Sequence, residues 1–327
     1  MTQTSQPRLL QPWAVLGAGA WGTVLAALLA GSGREVRLWA RRPEQAEMIG
    51  RTRRNAQYLP DFALPSSLRA SSDLGAVVAG ARGVVVALPR RALREVLREM
   101  PPVRAVVSAC KGLEPSSFKR PSELVAEYQP GALLAALSGP NLSREIARGL
   151  PAAATLAAPD ADFAEEAQAA FGTERFRVYT SADLVGLEVA GAYKNVIALA
   201  AGLADGLGFG DNSKATLITR GLAELVRLGT RLGGEPQTFY GLAGLGDLVA
   251  TCAGPGSRNH RAGLHFARGG TLAGLEASGL TAEGVPTVRA VQGYAAAHGL
   301  ELPIAQEVYR VVYEGKAPEE ALGDLMG

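Results

Sequence analysis

Three glycines, two lysines and one aspartate are the residues of this chain best suited to chemistry. Gly17-Ala18-Gly19-Ala20-Trp21-Gly22 has G-x-G-x-x-G spacing, directly after an apolar run and ahead of an amphipathic one. In that context the spacing reads as a dinucleotide-binding turn. Gly17 permits the sharp turn, Gly19 lets backbone approach a pyrophosphate, and Gly22 lets the following helix pack close to the strand. The helix start supplies unsatisfied N–H groups and partial positive charge to the phosphates. A plain tight turn is the competing reading, and Trp21 suits a core position as well as a cofactor neighbour. The next apolar run, Glu35 to Ala40, ends in Arg41-Arg42 with no acid at its tip. An NAD-selective site carries Asp or Glu there to bind the ribose diol. Two guanidiniums instead suit a 2′-phosphate, which favours NADP or use of both cofactors. A solvated Arg pair on a loop is the alternative.

Only five of the 33 basic residues are lysine, so each invites a reason. Lys119, Lys214 and Lys316 stand among polar neighbours and are expected to be solvated. Lys111 follows an apolar run, in Ser108-Ala109-Cys110-Lys111-Gly112, at the strand end where open α/β folds place ligands. Lys194 lies inside Val189-Ala190-Gly191-Ala192-Tyr193-Lys194-Asn195-Val196-Ile197-Ala198. On a helix its neighbours are Leu187, Ala190, Gly191, Ile197, Ala198 and Ala201, none of them charged. An ammonium so desolvated has a lowered pKa, and lysine, unlike arginine, can then exchange its proton. A lysine that snorkels to the surface is the bland reading. Asp247 closes the glycine-dense run Gly241-Leu242-Ala243-Gly244-Leu245-Gly246 and is a candidate partner to orient Lys194. Ser257-Arg258-Asn259, at the start of a helix-like run, form either an anion site or an ordinary N-cap with a nearby Arg.

The elements that must position these groups change character near residue 180. Before it, strands are expected at Trp13–Leu16, Val36–Trp39, Val84–Leu88, Ala105–Ser108, Leu133–Leu137, Ala152–Ala157 and Phe176–Tyr179. Helices are expected between them at Trp21–Ala30, Pro43–Gly50, Arg91–Arg98, Pro121–Glu127 and Ala161–Phe171. Near-continuously apolar strands in strict alternation with helices indicate an α/β, Rossmann-like doubly wound sheet. After Thr180 only helices are expected: Asp183–Leu207, Lys214–Leu232, Glu283–His298 and Ile304–Tyr313. The reading is a dinucleotide-binding domain over residues 1–180 and an all-helical C-terminal domain over 181–327.

Composition narrows the function further. The 327 residues are 47% hydrophobic and 20% charged, enough for sizeable cores. A net charge of +2 gives no general field for nucleic acid or an anionic membrane. Two cysteines and three histidines make neither a disulfide framework nor a metal site, and His260 and His265 read as surface or packing residues. Met1–Gln11 is polar and does not read as a signal peptide, and no run of about 18 uncharged apolar residues appears. A cytoplasmic protein is expected. The strongly apolar helical half makes a homo-oligomer plausible.

Together the motifs resemble the bacterial-type NAD(P)-dependent glycerol-3-phosphate dehydrogenases, from about Trp13 to Asp324. The stretches that carry the likeness are Gly17–Gly22, Lys111-Gly112-Leu113-Glu114, Ser138-Gly139-Pro140, Gly191–Ala198, Asp205–Arg220, Gly241–Cys252 and Ser257-Arg258-Asn259. The resemblance implies reversible reduction of dihydroxyacetone phosphate to sn-glycerol 3-phosphate with NADPH or NADH, feeding phospholipid synthesis. It makes Lys194 the general acid–base, has Lys111 touch substrate and cofactor, and has Asp247 hold Lys194 and a substrate hydroxyl. Ser257, Arg258 and Asn259 would bind substrate, with Arg258 near its phosphate and the cofactor. Gly139 and Asn141 would line the substrate site and Ser143 the cofactor side. Trp21, Arg41, Arg42, Tyr58 and the segment from Thr281 to Glu283 match family cofactor contacts. The sequence departs from the family at Asn141-Leu142-Ser143, in the loop Ala253-Gly254-Pro255-Gly256, and at Thr281. A ketoacid or β-hydroxyacid reductase of the same plan would not need Ser257-Arg258-Asn259. A dinucleotide sensor would not need Lys111, Lys194 and Asp247 together.

Overall fold

The computed structural model describes residues 11–254 and 256–326, so Met1–Leu10, Pro255 and Gly327 lie outside it. Two compact units divide the chain. The first runs to Cys110 and takes up residues 122–137 and 141–182. Its strands are β1 (Trp13–Leu16), β2 (Val36–Trp39), β3 (Arg54–Asn55), β4 (Leu59–Ala63), β5 (Leu68–Ser71), β6 (Gly83–Val86), β7 (Ala105–Ser108), β8 (Leu133–Ser138), β9 (Ala152–Ala157) and β10 (Phe176–Ser181). Eight form one sheet in the order β10-β9-β8-β7-β6-β1-β2-β5. β1 pairs in parallel with both β2 and β6, Trp13 standing opposite Val36 on one side and Gly83 on the other.

All four residues of β1 are buried. Successive side chains point to opposite faces of a strand, so Trp13 and Val15 enter one core with Leu25, Leu29, Ile49 and Phe171. Ala14 and Leu16 enter the other with Val84, Leu93 and Leu124. Each fully buried Val or Leu here is worth about 1.5–3 kcal/mol over leaving it exposed. The covering helices are α1 (Ala20–Gly31), α2 (Pro43–Thr52), α3 (Leu74–Val78), α4 (Arg90–Glu99), α5 (Pro121–Tyr128), α6 (Ser143–Ala147) and α7 (Ala161–Phe171). Asp160 caps α7, accepting the Phe163 amide at 2.7 Å.

The expected strict alternation is broken between α2 and α3, where β3, β4 and β5 follow one another. β3 and β4 make a separate antiparallel pair. With two and five residues and a proline inside, they carry too little apolar pattern to announce themselves, and Pro60 is tolerated because this pair has free edges. β5 adds a half-polar edge strand. The run expected at Val84–Leu88 leaves the sheet at Val86, two residues earlier, ahead of Pro89.

The second unit comprises Lys111–Pro121, Ser138–Pro140 and the chain from Asp183. It holds α8 (Leu184–Gly206), α9 (Asp211–Arg231), α10 (Pro236–Tyr240), α11 (Asp247–Ala253), α12 (Arg258–Ala267), α13 (Leu272–Ala277), α14 (Gly284–His298), α15 (Pro303–Tyr309) and α16 (Pro318–Met326), with π-helical segments at Leu242–Gly246 and Arg310–Glu314. No strand follows Ser181 among the described residues. The central helix α8 is long and apolar enough to cross a membrane, yet nearly all of it is buried inside the fold, as suits a core helix. Asp183 caps its start, accepting the Gly186 and Glu235 amides at 2.7 and 2.8 Å. Helix α12 crosses α8 at backbone contact: a Cβ on Gly202 would stand 2.0 Å from the His260 carbonyl oxygen.

Candidate active site

Lys194 lies midway along α8 and is 6% exposed. Its amine donates to Asp247 Oδ1 at 2.7 Å and to Thr251 Oγ1 at 2.7 Å. Asp247, also buried, takes Lys111 on its other oxygen, Lys111 Nζ to Oδ2 being 2.5 Å. The Gly139 carbonyl lies 3.4 Å from the same Lys111 amine. One carboxylate thus joins two amines that are 83 positions apart in sequence. The π-helical segment before α11 delivers Asp247 to this spot, and such bulges often mark functional sites. Thr251, one turn on, donates its hydroxyl proton to the Asp247 carbonyl at 2.6 Å and so presents an oxygen lone pair to Lys194.

Burial pulls the Lys194 pKa down to about 8; Asp247 opposes that shift and the Lys111 charge adds to it. For Asp247, burial acts upward, but the amines of Lys111 and Lys194 outweigh it and hold the carboxyl below its ordinary value. A lysine titrating near 8 gives and takes a proton at working pH. With both amines protonated the trio carries one net positive charge, suited to negative charge building on a carbonyl oxygen.

The anion-site residues divide. The Ser257 hydroxyl caps α12, accepting the His260 amide at 3.2 Å. Asn259 is buried, donating to Asn195 Oδ1 at 2.7 Å and accepting the Gly284 amide at 2.8 Å. It therefore fastens α12 to α8 and α14 beside Lys194. Arg258 is exposed and forms no ion pair among the described residues. His260 contacts Asp205 Oδ2 at 2.7 Å. Two of the lysines expected to be solvated are instead engaged: Lys214 pairs with Asp205 at 2.9 Å, and Lys316 pairs with Glu307 and Asp324, because acidic side chains fold back onto both. Both cysteines are buried, and burial pushes Cys252 up to about 12, which removes it as a nucleophile. No group of metal-ligating side chains occurs among the described residues.

In the first unit the glycine turn follows β1, where the strand order reverses and open α/β sheets take ligands. Gly17 has φ +112°, a conformation few other residues adopt. A Cβ on Gly22 would stand 1.9 Å from the Gly17 oxygen, whereas one on Gly19 would meet nothing within 4 Å. Gly22 is thus needed for packing, and Gly19 faces open space that phosphates can approach. No side chain caps α1 at Gly19, so the first-turn amides are available. The Trp21 indole N–H is buried without a protein partner. The Ala18 carbonyl accepts the Gln45 and Asn55 side-chain amides at 2.7 and 2.9 Å. The unforeseen β3–β4 pair thereby braces the turn, and exposed Tyr58 lies in its loop. Arg41 and Arg42 are exposed at the end of β2, Arg42 bonding Gln45 and Gln57. These features fit a dinucleotide.

Of the other expected site residues, Asn141 donates to the Ala153 carbonyl at 2.8 Å and Ser143 opens α6. Thr281 is half-buried ahead of α14, and the Glu283 carbonyl accepts the Thr287 hydroxyl at 2.6 Å.

The family descriptions "NAD-dependent glycerol-3-phosphate dehydrogenase N-terminus" and "C-terminus" match residues 12–164 and 183–323. This chain belongs to the NAD-dependent glycerol-3-phosphate dehydrogenase family. Among its relatives, glycerol-3-phosphate dehydrogenase (NAD(P)+) of Thermus thermophilus is 50% identical over 315 residues, covering 96% of this chain and 97% of that one. The protein of the same name from Streptomyces coelicolor is 48% identical over 320 residues, covering 96% and 95%. The crystal structure of glycerol-3-phosphate dehydrogenase from Coxiella burnetii superposes with a TM-score of 0.92 at 36% identity, over 97% of this chain and 99% of that one.

Sequence reasoning overlooked two members of the Lys194 surroundings. Thr251 stands four residues after Asp247 on one helix, a spacing that puts both on one face and could have found it. Asn195 enters only because Asn259 reaches it from 64 positions away, and no local signal announces that.

Proposed function

We propose that this chain reversibly reduces dihydroxyacetone phosphate to sn-glycerol 3-phosphate with NADPH or NADH, NADPH being favoured, in the cytoplasm and in the service of glycerophospholipid synthesis. The observation that carries the reading is the Lys194–Asp247–Lys111 trio. A nicotinamide dinucleotide supplies the hydride that adds to C2. Lys194 Nζ gives its proton to the C2 oxygen, so the carbonyl becomes an alcohol and the amine is left neutral. In the reverse direction the neutral amine takes that proton back. Lys111 stabilises the developing oxyanion and contacts both substrate and cofactor, while Asp247 orients the two amines and a substrate hydroxyl. Gly139, Asn141, Ser257 and Asn259 shape the substrate site, and the exposed Arg258 binds the phosphate end and the cofactor.

Anchoring the phosphate remote from C2 fixes the orientation of the carbonyl, where misplacement costs rate. For the dinucleotide we assign Gly17, Gly19, Ala20, Trp21, Gly22, Arg41, Arg42, Tyr58, Ser143, Thr281 and Glu283, together with Lys111 and Arg258. We assign residues 1–180 as the dinucleotide-binding domain and residues 181–327 as the helical substrate domain. A homo-oligomer is part of this reading, resting on the apolar character of the helical half. The test is loss of nicotinamide absorbance on adding dihydroxyacetone phosphate to the chain with NADPH or NADH. Rapid oxidation is expected, faster with NADPH; no oxidation by a chain that binds the cofactor overturns the reading.

A further inference from the structure

Ser138 closes β8, is 3% exposed, and its hydroxyl has no hydrogen-bond partner in the protein. Buried hydroxyls are nearly always paired, and one left unpaired weakens the fold. An alanine would fill the same place without that cost, so the folded chain alone gives no reason for a serine here.

The surroundings of the hydroxyl supply one. A Cβ built on Gly191 would stand 3.0 Å from Ser138 Oγ and 3.7 Å from Lys111 Cγ. The hydroxyl and the stem of Lys111 therefore both face the bare backbone of α8 at Gly191. Gly191 precedes Lys194 by three residues, so the two share a face of that helix. The residue after Ser138 is Gly139, whose carbonyl accepts the Lys111 amine. A side chain at 191 would press on the buried hydroxyl; glycine leaves room beside it.

Resting on the reactivity proposed above, we propose that the Ser138 hydroxyl is a further substrate-recognition group, hydrogen-bonded to an oxygen of the three-carbon phosphate when that substrate is bound. The hydroxyl is both donor and acceptor, so it can serve the C2 carbonyl of the ketone and the C2 alcohol of the product alike. A site built to bond a substrate oxygen discriminates strongly against analogues that lack it, because its own polar group then stays unpaired.

The test is Ser138→Ala in the full-length chain, measuring kcat and KM for dihydroxyacetone phosphate at saturating NADPH, KM for NADPH, and the melting temperature without substrate. The expected kcat/KM for the ketone falls about tenfold, as for loss of one hydrogen bond to substrate. KM for NADPH stays within about twofold, since this group is assigned to substrate alone. The melting temperature does not fall, because deleting an unpaired buried hydroxyl removes a penalty. That last sign separates recognition from a structural role. An unchanged kcat/KM overturns the proposal, as does a lowered melting temperature or failure to fold, which would make Ser138 structural. A matching rise in KM for NADPH overturns it in favour of a cofactor contact. Wild-type turnover is the control: if it is absent, the parent reading fails and this one with it. If it is present and Ser138→Ala is fully active, this proposal alone fails.

Discussion

Replacing Asp247 by asparagine tests the electrostatics of the site most directly. The amide keeps the shape of the carboxylate and an oxygen for Lys194, but removes the charge that lies 2.7 Å from its amine. In the native site that charge works against burial and against Lys111, and the balance leaves Lys194 at about 8. An opposite charge this close is worth roughly one to three pKa units. Without it the downward influences act unopposed, and Lys194 should titrate about one to three units lower. Carbonyl reduction needs the protonated amine. Its kcat/KM is therefore level below the Lys194 pKa and falls about tenfold per pH unit above it. At pH 7.5 roughly three-quarters of native Lys194 holds its proton, whereas for a pKa two units lower the fraction is about 3%. The assay is nicotinamide absorbance at saturating NADPH and low ketone, from about pH 5.5 to 9.5, because kcat/KM reports the free enzyme. The alkaline limb should move from about 8 in the native chain to lower pH in Asp247→Asn. Glycerol 3-phosphate oxidation should show the mirror image, its rising limb also moving down. A limb that stays near 8, or moves up, would refute the pairing of Lys194 with Asp247 as the source of its pKa.

The glycine turn and its arginines make two further tests. Gly22→Ala puts a Cβ 1.9 Å from the Gly17 oxygen and should destabilise the first unit by about 1–3 kcal/mol or more, read by thermal unfolding. Gly19→Ala meets no protein atom within 4 Å, so the fold should hold while dinucleotide affinity falls at least about tenfold in a fluorescence titration. Arg42 is held by Gln45 and Gln57, while Arg41 makes no bond among the described residues. Arg41→Ser should therefore weaken NADPH binding by about tenfold or more with little change for NADH, and Arg42→Ser should do so less. Equal losses for both cofactors would make the pair structural.

Much of this was legible in order along the chain. β1, the glycine turn and α1 are contiguous, and each glycine has a local reason: a positive φ at Gly17, open approach at Gly19, close contact at Gly22. The long helices α8, α9 and α14 of the second unit announce themselves by length and periodicity, whereas the short α10, α11, α13 and α16 do not. The desolvation of Lys194 follows from neighbours three and four residues away on one helix, and a pKa drawn down to about 8 agrees with it. What local pattern could not show were β3 and β4, whose few residues mix charge, proline and apolar side chains. Their value comes from distant bonds, above all that of Asn55 to the Ala18 carbonyl.

The candidate reacting groups were therefore suggested by residue type, since a lysine among apolar neighbours combines a movable proton with positive charge. Their partnership was decided by the fold. Asp247 lies 53 positions beyond Lys194 and 136 beyond Lys111, and nothing in the intervening residues encodes that both amines meet its two oxygens. Likewise Ser257 and Asn259, which read as an anion site, also serve as a helix cap and an interhelical tie. Hydrogen bonding and Coulomb attraction act over a few ångströms in space, whereas helix and strand periodicity act over a few residues in sequence. Only close packing of distant segments converts the second kind of order into the first.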